Sequence, residues 1–182
     1  MSEKLPTKKE SAIKVIASEL ELKGKIETFN QLLSKEPRPS WVRTHPFQKK
    51  LKYIPIEIIE EMLRKIFQQF DIEVKQVQPL FNSVQVTVRV NYLHPITNTW
   101  RYVDGVGAVN VQTDKGASAA ADLGAIKANA IQLAVPAAKS YAIKDAVENL
   151  GTIFGANLNR RDVPEINSPW VDHSTAMDKT KN

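Results

Sequence analysis

The chain has no cysteine among its 182 residues. That excludes disulfides, thiolate nucleophiles and cysteine-ligated zinc. No apolar run approaches the roughly 20 residues that span a bilayer. The opening Met1–Ser2–Glu3–Lys4 has no apolar stretch behind it of the kind a secretory signal needs. The expectation is a cytoplasmic protein without membrane contact. Histidine is scarce, and His45, His94 and His173 share no ligand or catalytic spacing. No His-x-x-x-His pair, Gly-x-Ser-x-Gly elbow or Gly-x-x-x-x-Gly-Lys-Ser/Thr loop occurs. Gly105–Val106–Gly107 lacks the third glycine and the following helix of a dinucleotide fingerprint. The expectation is therefore no enzyme, no cofactor, no metal and no ATP-driven motor. Asp104, Asp114 and Asp122 could gather a magnesium ion for a nuclease; the plainer reading of such spaced carboxylates is solvation.

What is present is an ordinary soluble composition, 42% hydrophobic and 25% charged, long enough for one core-forming domain with tails. The net charge of +5 is unevenly placed. Residues 1–34 carry six basic and five acidic side chains, a balance of +1. Residues 53–182 carry thirteen against fourteen, a balance of −1. The excess sits in residues 35–52, where Lys35, Arg38, Arg43, Lys49, Lys50 and Lys52 face only Glu36. A polyanion is the natural partner of such a concentration, and a solvated basic linker is the alternative.

Hydrophobic periodicity divides the chain into a helical or flexible segment over 1–39, a core over 40–162 and a disordered tail over 163–182. Ile13, Ile16, Ala17, Leu20, Phe29, Leu32 and Leu33 suggest helix on either side of Gly24. Pro37–Arg38–Pro39–Ser40 then breaks it. Pro55 opens a helix whose stripe is Ile58, Ile59, Met62, Leu63, Ile66, Phe67 and Phe70. The period next falls to 2. Ile72 and Val74 begin a strand, Pro79–Ser83 turn the chain, and Val84, Val86, Val88 and Val90 alternate with Gln85, Thr87, Arg89 and Asn91. His94–Asn98 reads as a hairpin loop and Thr99–Val106 as a third strand, with Trp100 and Tyr102 on one face. At Gly105–Val106–Gly107 the backbone bends or is closely approached. Ala117–Leu133 reads as a helix, and Pro136 as the start of a second one in which Ala138, Ala142 and Ala146 recur every four residues before Gly151 and Gly155. The fold class is α+β, an antiparallel three-stranded meander packed on helices.

That order, read with its motifs, resembles the annealing core of the Rad-fifty-two family of single-strand DNA annealing proteins. Arg43 precedes Lys50 and Tyr53–Ile54 at the family's spacing ahead of its first long helix. Val88–Arg89–Val90 is similar to the family's Val-Arg-Val strand, and Gly105–Val106–Gly107 to its Gly-x-Gly. Ala138–Lys139, Ala142, Asp145, Leu150 and Phe154–Gly155 resemble its small-residue helix and Phe-Gly ending. The likeness spans roughly residues 40–160, and the compact size suggests a phage-type member akin to the Sak and Erf annealing proteins.

The resemblance implies ATP-independent binding and annealing of single-stranded DNA in recombination and repair. It implies a homo-oligomeric ring or filament, with DNA in a basic groove between meander and helices, bases outward. On that reading Arg43 and Lys50 line the groove, with Lys49 and Lys52 beside them. Arg89 and Lys139 hold family-basic positions, and Lys115 and Lys127 belong to an outer path. The family's further basic residues before Phe-Gly are replaced here by Glu148, Asn149 and Thr152, with Lys144, Arg160 and Arg161 as candidate substitutes. The segment between Gly107 and Ala138 is longer than the family's by about a helix. Lysine and arginine contacts to phosphate suit annealing because they release counterions and read no base. Trp100 and Tyr102 either stack on bases or pack across strands or at a subunit interface, and the tail is a candidate dock for a single-strand-binding protein. The alternative to all this is a structural or regulatory oligomer that does not bind DNA.

Overall fold

Four valines alternating with polar residues make one strand the centre of the molecule. The computed structural model describes residues 8–46, 49–114 and 123–160, with side chains omitted for 8–13 and 123. Its elements are α1 (Lys8–Leu33), a two-stranded hairpin of β1 (Arg43–Thr44) and β2 (Lys52–Tyr53), α2 (Ile56–Phe67), β3 (Phe70–Leu80), β4 (Ser83–Leu93), β5 (Trp100–Asn110) and α3 (Ala130–Glu148). The fold is α+β: β3, β4 and β5 form an antiparallel sheet in sequence order, packed against helices. On β4 the valines at 84, 86, 88 and 90 are all buried, while Gln85, Thr87 and Arg89 lie on the opposite, open face. This is the alternation expected of a sheet covered on one side. No helix among the described residues is long and apolar enough to cross a membrane.

Several elements differ from the sequence expectation. The first helix runs unbroken through Gly24, because a single glycine in an exposed turn costs only about 1 kcal/mol. The β3 strand continues through Pro79, which pairs with Val84. Proline is tolerated there because β3 is an edge strand and a missing donor faces no partner. The loop is therefore only Phe81 and Asn82, with Phe81 at φ +51°. The β5 strand runs straight through Gly105–Val106–Gly107 without bending there. Of the helix expected over 117–133, the described part opens with a short 3-10 turn over Leu123–Ala125 and a bridge from Thr113 to Ile126, and only residues 130–133 are α-helical. Then α3 begins at Ala130, and Pro136 sits inside it instead of starting it. The lost hydrogen bond is offset because Ala130 and Ala134 extend the buried alanine row by one more turn of contact. Lys115, Asp122, Arg161 and the tail 163–182 lie outside the described residues.

The contact that sets the layer spacing is α3 on β5. Ala134, Ala138, Ala142 and Ala146 are buried in one row, and Gly105 and Gly107 face them. A Cβ on Gly105 would overlap the Ala142 carbonyl oxygen and the Ala146 nitrogen. One on Gly107 would overlap the Ala138 carbonyl and the Ala142 nitrogen. Both glycines are required by closeness of backbone to backbone.

The rest of the core is aromatic. Phe67 at the end of α2 meets Phe29 edge-on at 6.1 Å, Tyr92 at 4.6 Å and Phe154 at 6.5 Å. Phe29 brings the last turns of α1 into this cluster, and Leu33 packs beside it. His94 completes the anchor. Its ring lies 5.0 Å from Phe29, and its Nδ1 accepts the backbone N–H groups of Ile96 and Thr97, both at 3.3 Å. An accepting Nδ1 requires neutral imidazole. Burial, helped by the charge of Arg101, pushes the imidazole below its ordinary 6.5.

Two outcomes follow. Gly107→Ala should cost at least about 2 kcal/mol, since neither backbone can yield without separating α3 from the sheet; urea unfolding measures it, and an unchanged midpoint would refute the packing argument. His94 contributes stability that is complete above pH 6.5 and is lost as pH falls through the depressed folded value. Thermal melts between about pH 7 and pH 5 should therefore show a decline that His94→Gln flattens.

Candidate nucleic-acid interface

The basic segment 35–52 becomes a small hairpin. β1 and β2 pair Arg43 with Tyr53 and Thr44 with Lys52, His45 N–H donates to the Leu51 carbonyl at 2.8 Å, and Lys49 and Lys50 stand exposed in the turn. Between this hairpin and α3 runs a groove of about 470 Å³. Lys52, Tyr53 and Ile54 line one wall. Tyr141, Lys144, Asp145 and Glu148 line the other, at i, i+3, i+4 and i+7, the spacing that puts four side chains on one helix face. Phe154, Gly155, Leu158 and Asn159 complete the lining. Gly155 has φ +103°, the left-handed conformation that lets the chain reverse directly after buried Phe154 and return along the groove.

One side chain ties the hairpin to the 154–159 segment. The Asn159 carboxamide accepts the Lys52 N–H and donates to the Lys52 carbonyl, both at 2.9 Å. This two-point clasp fixes a hairpin of two-residue strands, which alone is marginal in water. Asn159 carried no signal in the sequence, because its partner lies 107 residues away.

Lys144 is the central cation. Its Nζ lies 4.9 Å from the Tyr53 ring centroid and 5.8 Å from that of Tyr141. Burial pushes its ammonium below the ordinary lysine range, against the pull of Glu57 and Glu148. The groove also holds acid. Burial, then Asp145, pushes the Glu148 carboxyl up, while Arg160 and Lys144 oppose this. Asp145 ties the helix to the sheet, because its Oδ2 accepts the Val106 N–H at 2.9 Å and so blocks part of the free edge of β5. Arg43 lies 3.8 Å from Glu57 in the first turn of α2, with both side chains exposed. Lys49, Lys50 and Lys52 have no ion pair among the described residues.

Lys52 and Lys144 thus share the groove, Arg43, Lys49 and Lys50 stand on the hairpin beside it, and Arg160 lies near Glu148. Other expected residues are elsewhere. Arg89 is on the open face of the sheet, bidentate to Asp104 at 2.7 and 2.8 Å and 3.8 Å over the Tyr102 ring. That pairing raises the guanidinium and holds the Asp104 carboxyl below its usual range. Lys139 is about 140° round α3 from Lys144, at ~100° for each of five residues, and does not line the groove. Lys127 is exposed before α3, near its far end. Lys115 and Arg161 lie outside the described residues.

Of the aromatic candidates, Trp100 and Tyr102 are both mostly exposed, so neither is buried by packing within the chain. Trp41 is half-buried beneath the Arg38 guanidinium at 5.2 Å. No group of three or more acidic or histidine side chains suited to a metal occurs among the described residues. No protein-family model matches the chain, and no curated protein matches it.

Asn159→Ala should release the hairpin from the 154–159 segment at a cost of about 1–2 kcal/mol. Hydrogen exchange at the Lys52 amide should rise sharply while the sheet amides stay protected; equal protection in both proteins would show that the clasp is dispensable.

Proposed function

We propose that the chain binds single-stranded DNA without sequence preference and anneals complementary strands, without ATP or a reaction of its own, as a homo-oligomer closing into a ring or running as a filament. The observation that carries this reading is that Lys52 and Lys144 meet in one groove beside the hairpin that bears Arg43, Lys49 and Lys50, four of these five coming from the segment that holds the charge excess. The ordered resemblance to the Rad-fifty-two annealing core supports it independently.

The chemistry of these side chains suits annealing. Exposed lysines on a tight hairpin track phosphates and gain from counterion release without reading bases. Arg43 can take a phosphate bidentately by exchanging its loose, solvent-exposed partner Glu57. Tyr53 and Tyr141 give the groove apolar walls on which a sugar or base can lie. Repetition of the site round an oligomer multiplies a modest single-site affinity.

The second reading, a structural or regulatory oligomer without DNA, is favoured by Asp145 and Glu148, which offset the positive charge inside the groove. The two separate on one measurement. Fluorescence anisotropy with labelled oligo-dT should give tight binding near 50 mM salt that collapses by about 200 mM. Arg43→Ala should weaken binding and annealing and flatten the salt dependence, with assembly intact. Absence of binding at the lower salt would leave the second reading in place.

A further inference from the structure

Helix α1 is apolar on two opposite sides, and the chain covers only one of them. Phe29 and Leu33 dock on the body, and Val15, Leu22 and Ile26 continue that side toward the N-terminus. Leu20 is nine residues from Phe29, about 180° round the helix at ~100° per residue. With Ile16 and Ala17 it forms a second stripe. Every described residue from Lys14 to Lys25 is exposed, Leu20 at 63%. A helix apolar on both sides belongs between two layers.

The same chain lacks a helix elsewhere. On the inner face of the sheet α3 lies over β5 and β4 and barely reaches β3. Val74 and Val77 pair with the buried Val88 and Val86 and share their face, yet Val77 is 50% exposed. Asp145 marks the side of α3 at the outer edge of β5, and the row Val135, Lys139, Ile143, Val147, at i+4 spacing, lies well round the helix from it at ~100° per residue, toward β4 and the gap. Its last two members are buried, and Lys139 stands free of any ion pair among the described residues. An apolar strand strip bordered by a lone lysine matches an apolar helix stripe bordered by Glu19. The chain's own α1 does not fill the gap, because its docked end sits beside Phe67 and His94 and the described residues of its free half are exposed.

We propose that the free half of α1 lies in the β3–α3 gap of a second copy of this chain, with Leu20 against Val77 and Glu19 near Lys139. The two surfaces differ, so the contact is head-to-tail and propagates as a ring or filament. The inference rests on the oligomeric part of the proposed function and gives that assembly its contact.

The chain's lack of cysteine makes a clean test. Leu20→Cys/Val77→Cys, oxidised and run without reductant, should give a ladder of covalent oligomers. Leu20→Glu should move the parent oligomer toward monomer by mass photometry with its helical circular dichroism unchanged. Lys139→Glu should weaken assembly, and adding Glu19→Lys should restore it. A monomeric parent, an oligomer indifferent to Leu20→Glu with no ladder, or efficient dimers from Leu20→Cys alone would each overturn the contact. Oligo-dT anisotropy on the same samples separates the two ideas: a ladder without DNA binding keeps the arm contact and removes the annealing reading, and DNA binding by a monomeric parent does the reverse.

Discussion

The structure depends on the close approach of α3 to β5. Backbone meets backbone there because four alanines present almost no side chain and two glycines present none. That approach sets the depth at which α3 sits over the sheet. It buries the β4 valines and brings Asp145 onto the Val106 amide. It also fixes the opposite side of the helix, where Tyr141, Lys144 and Glu148 look outward into the groove. Widening the contact by one methyl would move all of these together.

From that layer two attachments reach outward, each through few groups. The basic hairpin is held by the Asn159 clasp and by its groove contacts, so the candidate phosphate-binding side chains stand on a short element with few attachments. Helix α1 is held by Phe29, Leu33 and the His94-ordered loop at its C-terminal end, while its other half extends into solvent. The core between them is well satisfied, with no buried side-chain polar atom left without a partner among the described residues. The surfaces proposed for partners are thus the least internally committed parts of the molecule.

Charge placement explains why groove and sheet divide their roles. On the open sheet face Arg89 is held by Asp104 and Tyr102, which leaves its guanidinium few free donors. At the hairpin Lys49 and Lys50 have no ion-pair partner among the described residues. The groove itself is of mixed sign, since Lys144 shares it with Asp145 and Glu148. In the proposed binding mode, affinity rests on the hairpin lysines and Arg43 more than on the helix. The last turn of α3 carries no basic residue.

Local pattern alone determined much of this protein. The alternating valines, the stripe of α2, the alanine row and the 35–52 charge cluster are legible because each depends on neighbours within a few residues and on periods of 2 or 3.6. The strand through Pro79, the unbroken α1 and the early start of α3 were not legible. Each reverses a local propensity through something distant: a free sheet edge, a glycine left exposed with no neighbour, two more alanines against the sheet. The same holds for function. Sequence could name Arg43, Lys50 and Lys144 as cations, but could not tell that Arg89 was already paired or that Lys139 faced away from the groove. Tertiary structure decided which charges converge, because convergence depends on the register of β4 with β5 and on the angular position of each residue round α3. Neither is encoded in any single stretch of the chain.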